Sequence, residues 1–308
     1  MIAIKNRWFL KMLNFYPKLW LLSRLSLLLL ICLFLNCSSL ESKENDVRSN
    51  YVLVSVAPHR FFVEKIAADT IKVGLMVPAG ASAHTYEPTP KQTMAAAKAD
   101  IWFRIGEIFE TKALNALTSH NMFLKVVDLR DNLDLITDKT HICSHHKNGS
   151  EDLHFWLSPR LAKIQAETIT NALIATYPEH RELYLKNLAV FKNELDAIDM
   201  KIADQLKNLK NRTIMVSHPA YGYFVRDYGL KQFSIEFEGK DPTPKLLTRI
   251  LEEARKENVK IIFTQPQYSD KGSLLIAEQI GAKVVSLNPY SEDYFESLLT
   301  ITKQIADQ

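Results

Sequence analysis

From Tyr51 to the C-terminus, short apolar runs rich in β-branched residues alternate with longer stretches whose apolar residues recur every three or four positions. The short runs predict β-strands, and the longer stretches predict amphipathic helices. Eight strands are predicted in two sets of four, which are 51–56, 71–77, 101–105 and 123–129, then 212–217, 232–237, 260–265 and 283–288. Strands that alternate with helices form parallel sheets covered on both faces. The pattern therefore predicts an α/β fold with two similar lobes, each a mostly four-stranded parallel sheet flanked by helices.

A helical region separates the two sets of strands. Ser158 and Pro159 are typical of an N-cap and a first helical residue, and this helix is expected to reach Thr176. Residues 178–209 contain no glycine and no second proline. Apolar residues recur there at helical spacing: Leu183, Leu185, Leu188, Phe191, Leu195, Ile198, Ile202 and Leu206. A helix of about 30 residues is a rod of roughly 45 Å that would join the lobes rigidly, and two helices with a bend are the alternative.

The first 36 residues have the pattern of an export signal. They hold five basic residues and no acidic one, and an apolar run over residues 25–35 is interrupted only by Ser26. A membrane span needs about 20 apolar residues, so this run is too short for one and is typical of a secretory signal peptide. Translation could begin at Met1 or at Met12.

The apolar run ends at Cys37, and a polar stretch follows as far as Asn50. This arrangement resembles the processing site of bacterial lipoproteins, in which the cysteine is lipidated and becomes the mature N-terminus. Asn36 departs from that pattern, because a small residue usually precedes the cysteine. We predict an exported protein, periplasmic or anchored to a membrane through a lipid on Cys37. A cleaved signal without lipid and an uncleaved anchor are the alternatives.

These patterns divide the chain into five parts. Residues 1–36 are the predicted signal peptide, and residues 37–50 are a polar tether. The N-terminal lobe is predicted to span residues 51–177, the linking helix 178–209 and the C-terminal lobe 210–308.

Charge and motifs exclude several classes of function. The chain has 308 residues and a formal net charge of +3, but removing the five basic groups of the leader from the 38 in the chain leaves 33 against 35 acidic groups. The exported part therefore lacks the basic composition typical of nucleic-acid binding. The sequence contains no glycine-rich dinucleotide motif, P-loop motif, G-x-S-x-G elbow or H-E-x-x-H motif, so no motif supports the corresponding enzymes.

Three of the nine histidines have informative positions relative to the predicted strands and helices. His84 follows the strand predicted over 71–77, His218 directly follows the strand predicted over 212–217, and His154 precedes the helix before the linking region. Parallel sheets bind ligands beyond the carboxyl ends of their strands, so facing lobes could bring His84 and His218 to one cleft. Three neutral imidazoles with an open fourth position suit zinc. Histidines outside this set and outside the loop near 140–152 are interpreted as surface or capping residues: His59, His120 and His180.

The segments around the three histidines form an ordered set. They are His84-Thr-Tyr-Glu-Pro-Thr-Pro, Asp152-Leu-His-Phe-Trp-Leu-Ser-Pro and Ser217-His-Pro-Ala-Tyr-Gly-Tyr-Phe. The set continues through Glu238-Gly-Lys-Asp-Pro-Thr-Pro and Phe263-Thr-Gln-Pro-Gln-Tyr to the segment 281–289. In this order the segments resemble the metal-binding solute receptors of bacterial ABC transporters, of the zinc/manganese type. The resemblance covers about residues 50–308.

The resemblance implies two lobes joined by a long helix, with one metal ion in the cleft between them. Carried over position by position, His84, His154 and His218 are the metal ligands. Relatives with a carboxylate in place of the third histidine tend to be associated with manganese, so His218 favours zinc, and manganese or iron is the alternative. The implied function is the capture of zinc outside the cytoplasm and its delivery to a membrane permease served by a separate ATPase, without catalysis.

The fourth ligand is the point at which the chain departs from the family. Asn288 stands where the family commonly has an aspartate, and Ala83 stands where a proline usually precedes the first histidine. An asparagine offers only a neutral carbonyl oxygen. We therefore expect three histidines with water or Asn288 completing the shell, and Glu292 or Asp293 as less favoured substitutes.

A second group of possible ligands lies in the loop near 140–152. His141, Cys143, His145 and His146 crowd into six positions. Zinc receptors of this family often carry a histidine-rich loop in this place, so the resemblance implies an auxiliary, weaker metal site. The cysteine supports that interpretation, because an unpaired exported thiol beside imidazoles is a plausible soft ligand. A polar loop with incidental histidines is the alternative.

A zinc hydrolase is the rival function from another class, since three histidines and a water also describe catalytic zinc. It would need a carboxylate base, for which only Glu87 and Asp152 lie close to the histidines in sequence. Nothing else in the sequence assembles a substrate site. For a receptor, the histidines must be neutral to bind metal, so zinc binding is expected to weaken below about pH 6.

Overall fold

The computed structural model of the protein describes residues 50–137, 151–235 and 243–308. Within them lie two parallel sheets of four strands each. The strands of the first sheet are β1 (Tyr51–Val54), β2 (Lys72–Leu75), β3 (Ile101–Arg104) and β4 (Lys125–Asp128), in the order β2-β1-β3-β4. Those of the second are β5 (Thr213–Val216), β6 (Lys231–Ser234), β7 (Ile261–Thr264) and β8 (Lys283–Ser286), in the order β6-β5-β7-β8. The two sheets therefore have the same topology.

Helices connect successive strands, as parallel pairing requires. The helices of the first set are α1 (Ala57–Ala67), α2 (Pro90–Ala96) and α3 (Ile108–His120). Two helices lie between the sheets, α4 (Pro159–Thr176) and α5 (Arg181–Leu206). The helices of the second set and the C-terminus are α6 (Gly222–Tyr228), α7 (Pro244–Lys256), α8 (Lys271–Ile280) and α9 (Tyr294–Ala306). The predicted fold class is confirmed, with two four-stranded parallel sheets, flanking helices and a long joining helix.

The burial of the strands explains why their apolar runs are readable in the sequence. The inner strands β5 and β7 are buried along their whole length, whereas the edge strands β2 and β6 begin with an exposed lysine. Inner strands of a parallel sheet are covered on both faces and are therefore continuously apolar. Most predicted strands extend beyond the observed ones at one or both ends, and residues 236 and 237 of the strand predicted over 232–237 lie outside the described residues.

The long helix is shorter than the predicted rod and has a different buried face at its start. A 3₁₀ turn, Pro178–His180, precedes α5, whose 26 residues make a rod of about 39 Å. Leu183 and Leu185 were expected on the buried face but are 36% and 42% exposed, whereas Tyr184 is fully buried. Adjacent residues on a helix do not share a face, so Tyr184 and the two leucines cannot all be buried. Packing against the neighbouring helices buries Tyr184 and leaves the leucines exposed. From Phe191 onward the buried positions follow the predicted spacing.

Aromatic packing fastens the long helix to elements from both ends of the chain. Helix α5 packs against α4, α1 and α9. The ring of Phe62 on α1 lies 4.8 Å from that of Tyr294 on α9 and 5.3 Å from that of Phe191 on α5. Phe61 lies 5.1 Å from Phe295 at the same junction. Aromatic rings bury a large apolar area each, so they account for much of this contact.

Two predicted features fall outside this description. Cys37 and the leader lie outside the described residues, and so do His141, Cys143, His145 and His146. In the part of the chain that the structure describes, no helix combines the length and the apolar character that a membrane span requires.

Candidate metal centre

Three chain segments from different parts of the sequence meet at the carboxyl ends of the strands. His84 lies in the loop between β2 and α2, and His218 follows β5. His154 immediately precedes a 3₁₀ turn, Phe155–Leu157, that leads into α4. The hydroxyl of Ser158 accepts a hydrogen bond from the amide of Leu161, which fixes the start of α4 and with it the path of the preceding turn.

The side chains of His84, His154 and His218 converge. Their ring centroids are 5.0 to 5.4 Å apart, and their ligating atoms all lie within 4.8 Å of one another. The Nε2 atoms of His84 and His218 are 3.2 Å apart. Ligand nitrogens of a tetrahedral zinc site lie about 3.4 Å apart, since each Zn–N bond is about 2.0–2.1 Å. Among the described residues, no carboxylate or thiol joins this group.

Two carboxylates orient the imidazole rings from behind. The carboxylate of Glu107 lies 3.0 Å from Nδ1 of His84, and Oδ1 of Asp152 lies 2.8 Å from Nδ1 of His154. A carboxylate only accepts hydrogen bonds, so each ring carries its proton on Nδ1 and presents the Nε2 lone pair. Such outer partners also raise the basicity of a metal-binding imidazole.

Asp152 is itself held in place by its surroundings. Its backbone amide donates to the carbonyl of Ile136, and its backbone carbonyl accepts a hydrogen bond from the phenol of Tyr223. A Cβ added to Gly222 would lie 2.3 Å from Oδ2 of Asp152. The absence of a side chain at position 222 therefore allows the carboxylate to approach His154.

Two tyrosines reach the same imidazoles from other directions. The hydroxyl of Tyr290 lies 3.3 Å from Nε2 of His154, and that of Tyr268 lies 3.4 Å from Nε2 of His218. The ring of Tyr268 stacks on His218, with 4.4 Å between centroids and 16° between planes. Burial raises the pKa of the Tyr290 phenol well above its ordinary value, so this group is a hydrogen-bond donor.

The residues considered as a fourth ligand have other partners. The side chain of Asn288 is exposed, and its Oδ1 accepts hydrogen bonds from Nε2 of Gln267 and from the amide of Tyr290. Glu292 forms an ion pair with Arg60 at 2.8 Å, and Asp293 caps the first turn of α9. Each of the three therefore has a partner outside the histidine cluster.

The remaining described histidines differ from one another. His59 is fully buried rather than at the surface, with Nε2 2.8 Å from Oε1 of Gln165. Burial lowers the pKa of its imidazole to about 4, so the ring is neutral. His120 lies at the end of α3 with Nδ1 2.8 Å from the carbonyl of Ala116, which agrees with a capping role. His180 is partly exposed beside Glu179.

Several residues around the site were not predicted as functional, although the rule that located two of the histidines applies to them. Glu107 follows β3, Tyr268 follows β7 and Tyr290 follows β8. Each therefore lies beyond the carboxyl end of a parallel strand, as His84 and His218 do. Position alone could have identified them, but nothing in the sequence shows which imidazole each one contacts.

The donor set bears both on the choice of metal and on the rival hydrolase function. Three imidazole nitrogens form a neutral set that suits zinc better than manganese, which prefers oxygen ligands. A zinc hydrolase also needs a carboxylate base at the metal-bound water. Of the two considered, Glu87 pairs with Lys112 at the surface and Asp152 contacts Nδ1 of His154, on the side away from the ligating nitrogen.

Comparisons with known proteins point to the same chemistry. Residues 52–308 match the model of a family described as zinc-uptake complex component A, periplasmic (ZnuA). A putative metal-binding protein of Chlamydia muridarum is 35% identical over 281 residues, covering 91% of this chain and 99% of its own length. The high-affinity zinc uptake system protein ZnuA of Bacillus subtilis is 28% identical over 262 residues, 82% of each chain. A crystal structure of ZnuA superimposes with a TM-score of 0.78 at 35% identity, covering 83% of this chain and 98% of that one.

Proposed function

Because the chain belongs to the family of the periplasmic zinc-uptake complex component A, we propose that it is an exported receptor that captures zinc and delivers it to an ABC permease. His84, His154 and His218 are the proposed ligands. Zinc would exchange most of its bound waters for the three Nε2 atoms, and a water would complete a four-coordinate shell. The loaded receptor then docks on the permease, whose separate ATPase drives transport.

One observation carries the proposal. Three imidazoles separated by 70 and 64 positions in the chain have their ligating atoms within 4.8 Å of one another. The 3.2 Å between the Nε2 atoms of His84 and His218 is close to the ligand separation of a tetrahedral zinc site. The carboxylates behind His84 and His154 stabilise the tautomers that zinc binding requires.

Zinc is the metal that this set supports. All three donors are imidazole nitrogens, and tyrosine phenol oxygens lie within hydrogen-bond distance of Nε2 of His154 and of His218. Manganese and iron receptors of the same fold are therefore less favoured, because they would lack an anionic oxygen ligand among the described residues.

The proposal extends to where the protein is located and how its chain is divided. Export depends on the signal peptide over residues 1–36, and the finer proposal is a lipid anchor on Cys37 followed by the tether 37–50. We further propose that residues 51–177 and 210–308 act as the two lobes around the metal. We also propose that the four candidate ligands of the loop near 140–152 form an auxiliary metal site.

Zinc titration of the mature protein tests this function. The wild type, purified without chelators, is expected to contain one equivalent of zinc by elemental analysis. The variants His84→Ala, His154→Ala and His218→Ala should each lose most of the affinity, measured by competition with a chromophoric chelator. His120→Ala is the matched control, because this histidine lies on α3 and contacts a helix carbonyl. Metal-free wild type that gives no zinc-dependent signal would contradict the proposal.

A further inference from the structure

The lone pair of His154 that would bind zinc already has a partner. Asp152 accepts the proton on Nδ1, so Nε2 of the same ring is an acceptor. The nearest described donor is the hydroxyl of Tyr290, at 3.3 Å from that nitrogen. The two rings meet edge to face, with 6.1 Å between centroids and 73° between planes. This arrangement is compatible with an O–H directed into the plane of the imidazole, where the lone pair lies.

We propose that Tyr290 is an affinity-determining residue, whose hydroxyl donates a hydrogen bond to Nε2 of His154 in the metal-free protein and competes with zinc for that lone pair. The proposal rests on the proposed function, since it concerns how the same site gains and releases zinc. Tyr290 thus contacts a proposed metal ligand but is not itself a ligand.

The energetic consequence follows from burial. Tyr290 is 7% exposed, and among the described residues its hydroxyl has no hydrogen-bond partner besides His154. When zinc takes the lone pair, the phenol loses its acceptor in a buried position, and an unmade buried hydrogen bond is unfavourable. Zinc binding therefore has to offset this loss. When zinc leaves, the hydrogen bond forms again and stabilises the empty site.

Tyr268 differs from Tyr290 although its hydroxyl is almost as close to a ligand. Its ring is stacked on the face of His218, with planes 16° apart. A phenol on a stacked ring lies above the imidazole plane, and the Nε2 lone pair lies within that plane. Tyr268 also accepts a hydrogen bond from Ser82 at 3.1 Å. The competition is therefore assigned to Tyr290.

A role in release suits a transport receptor, which must bind zinc at low concentration and still transfer it. A donor that returns to the ligand as the metal departs lowers the free energy of the emptied site. It does so without weakening any metal–nitrogen bond. The zinc affinity then depends on the three imidazoles, two of which have their tautomers fixed by carboxylates, and on the competing phenol of Tyr290.

The substitution Tyr290→Phe tests the proposal, because it removes the hydroxyl and keeps the ring. We expect zinc affinity to rise by about 3- to 10-fold, the effect of one net hydrogen bond. Zinc release into excess chelator, followed by stopped flow, should slow by a similar factor. Tyr294→Phe is the matched control: its buried hydroxyl donates to the carbonyl of Trp156 at 2.7 Å. It should leave zinc affinity unchanged.

The sign of the change separates the proposal from a structural effect. Loss of packing can only weaken binding, so a tighter Tyr290→Phe variant supports competition, and equal or weaker binding overturns it. A second measurement uses the wild type alone: in the metal-free protein, the ¹⁵N resonance of His154 Nε2 should show a hydrogen-bonded lone pair. A free lone pair would overturn the proposal even if the variant did not fold. Wild type that binds no zinc would instead refute the proposed function itself.

Discussion

The carboxylate of Glu107 lies 3.0 Å from Nδ1 of His84, on the side of the ring opposite to the nitrogen that meets His218. Glu107 is 1% exposed and follows β3. It therefore supports His84, which lies in the loop after β2 of the same sheet. The pair shows how the parallel topology brings separate loops to one point.

Replacing Glu107 by glutamine should weaken zinc binding by about 10-fold or more, the usual range for outer partners of ligating histidines. The amide keeps the shape of the side chain but loses the charge that fixes the Nδ1 proton. Chelator competition measures the effect. Glu87→Gln is the control, since that carboxylate pairs with Lys112 at the surface. Equal losses in both variants would show that the charge of Glu107 has no specific role.

The substitution Gly222→Ala should weaken zinc binding several-fold through Asp152. The new Cβ would lie 2.3 Å from Oδ2 of Asp152, so the carboxylate must move away from His154. A double-mutant cycle with Asp152→Asn checks the route, because coupled residues give non-additive effects. If the losses in the two single variants add fully in the double variant, the effect of Gly222→Ala does not pass through Asp152.

The substitution His218→Glu should shift the preference of the site from zinc towards manganese. A glutamate replaces one imidazole by an anionic oxygen donor, which manganese prefers. Competition titrations of both metals on the wild type and the variant give the ratio of affinities. An unchanged ratio, with both metals still bound, would place position 218 outside the metal shell.

The imidazole of His59 should make the protein less stable in acid. Its folded pKa is about 4, below the ordinary value of 6.5, because burial disfavours the charged ring. The stabilisation from this group is complete above pH 6.5 and is lost as the pH falls towards 4. The linkage amounts to about 3 kcal/mol, at about 1.4 kcal/mol per unit of pKa.

Denaturant unfolding of the metal-free protein at pH 4.5 and pH 7 measures this effect. The variant His59→Phe replaces the ring within its aromatic surroundings, which include Phe62 at 5.4 Å and Trp156 at 5.8 Å. It should be less stable at pH 7, because Gln165 loses its partner, yet show a smaller loss between the two pH values. A pH dependence equal to that of the wild type would assign the acid sensitivity to other groups.

The junction of α1, α5 and α9 should keep the relative position of the two sheets nearly constant when zinc binds. The rings of Phe62 and Tyr294 are in contact across it, with 4.8 Å between centroids. Small-angle scattering curves of the metal-free and zinc-loaded protein are therefore expected to superimpose. Curves that reveal a large closure would show that the aromatic contact does not restrain the lobes.

The sequence by itself determined the order of the strands and helices and the fold class. The inner strands β5 and β7 are buried on both faces, so their apolar runs are visible without any tertiary information. Parallel strands place their carboxyl ends at one edge, which located His84 and His218 near a common site. The resemblance to metal receptors supplied His154, whose position in a loop carries no periodic signal.

Only the tertiary structure decided which groups touch. Tyr184 rather than Leu183 is buried on α5, because the neighbouring helices select the face. Asn288 hydrogen-bonds to Gln267 and to the amide of Tyr290, and the phenol of Tyr290 meets His154. Local patterns record whether a position is apolar and how often apolar positions recur. A contact between atoms 136 positions apart depends on how whole elements pack, and that information is absent from any single stretch of the chain.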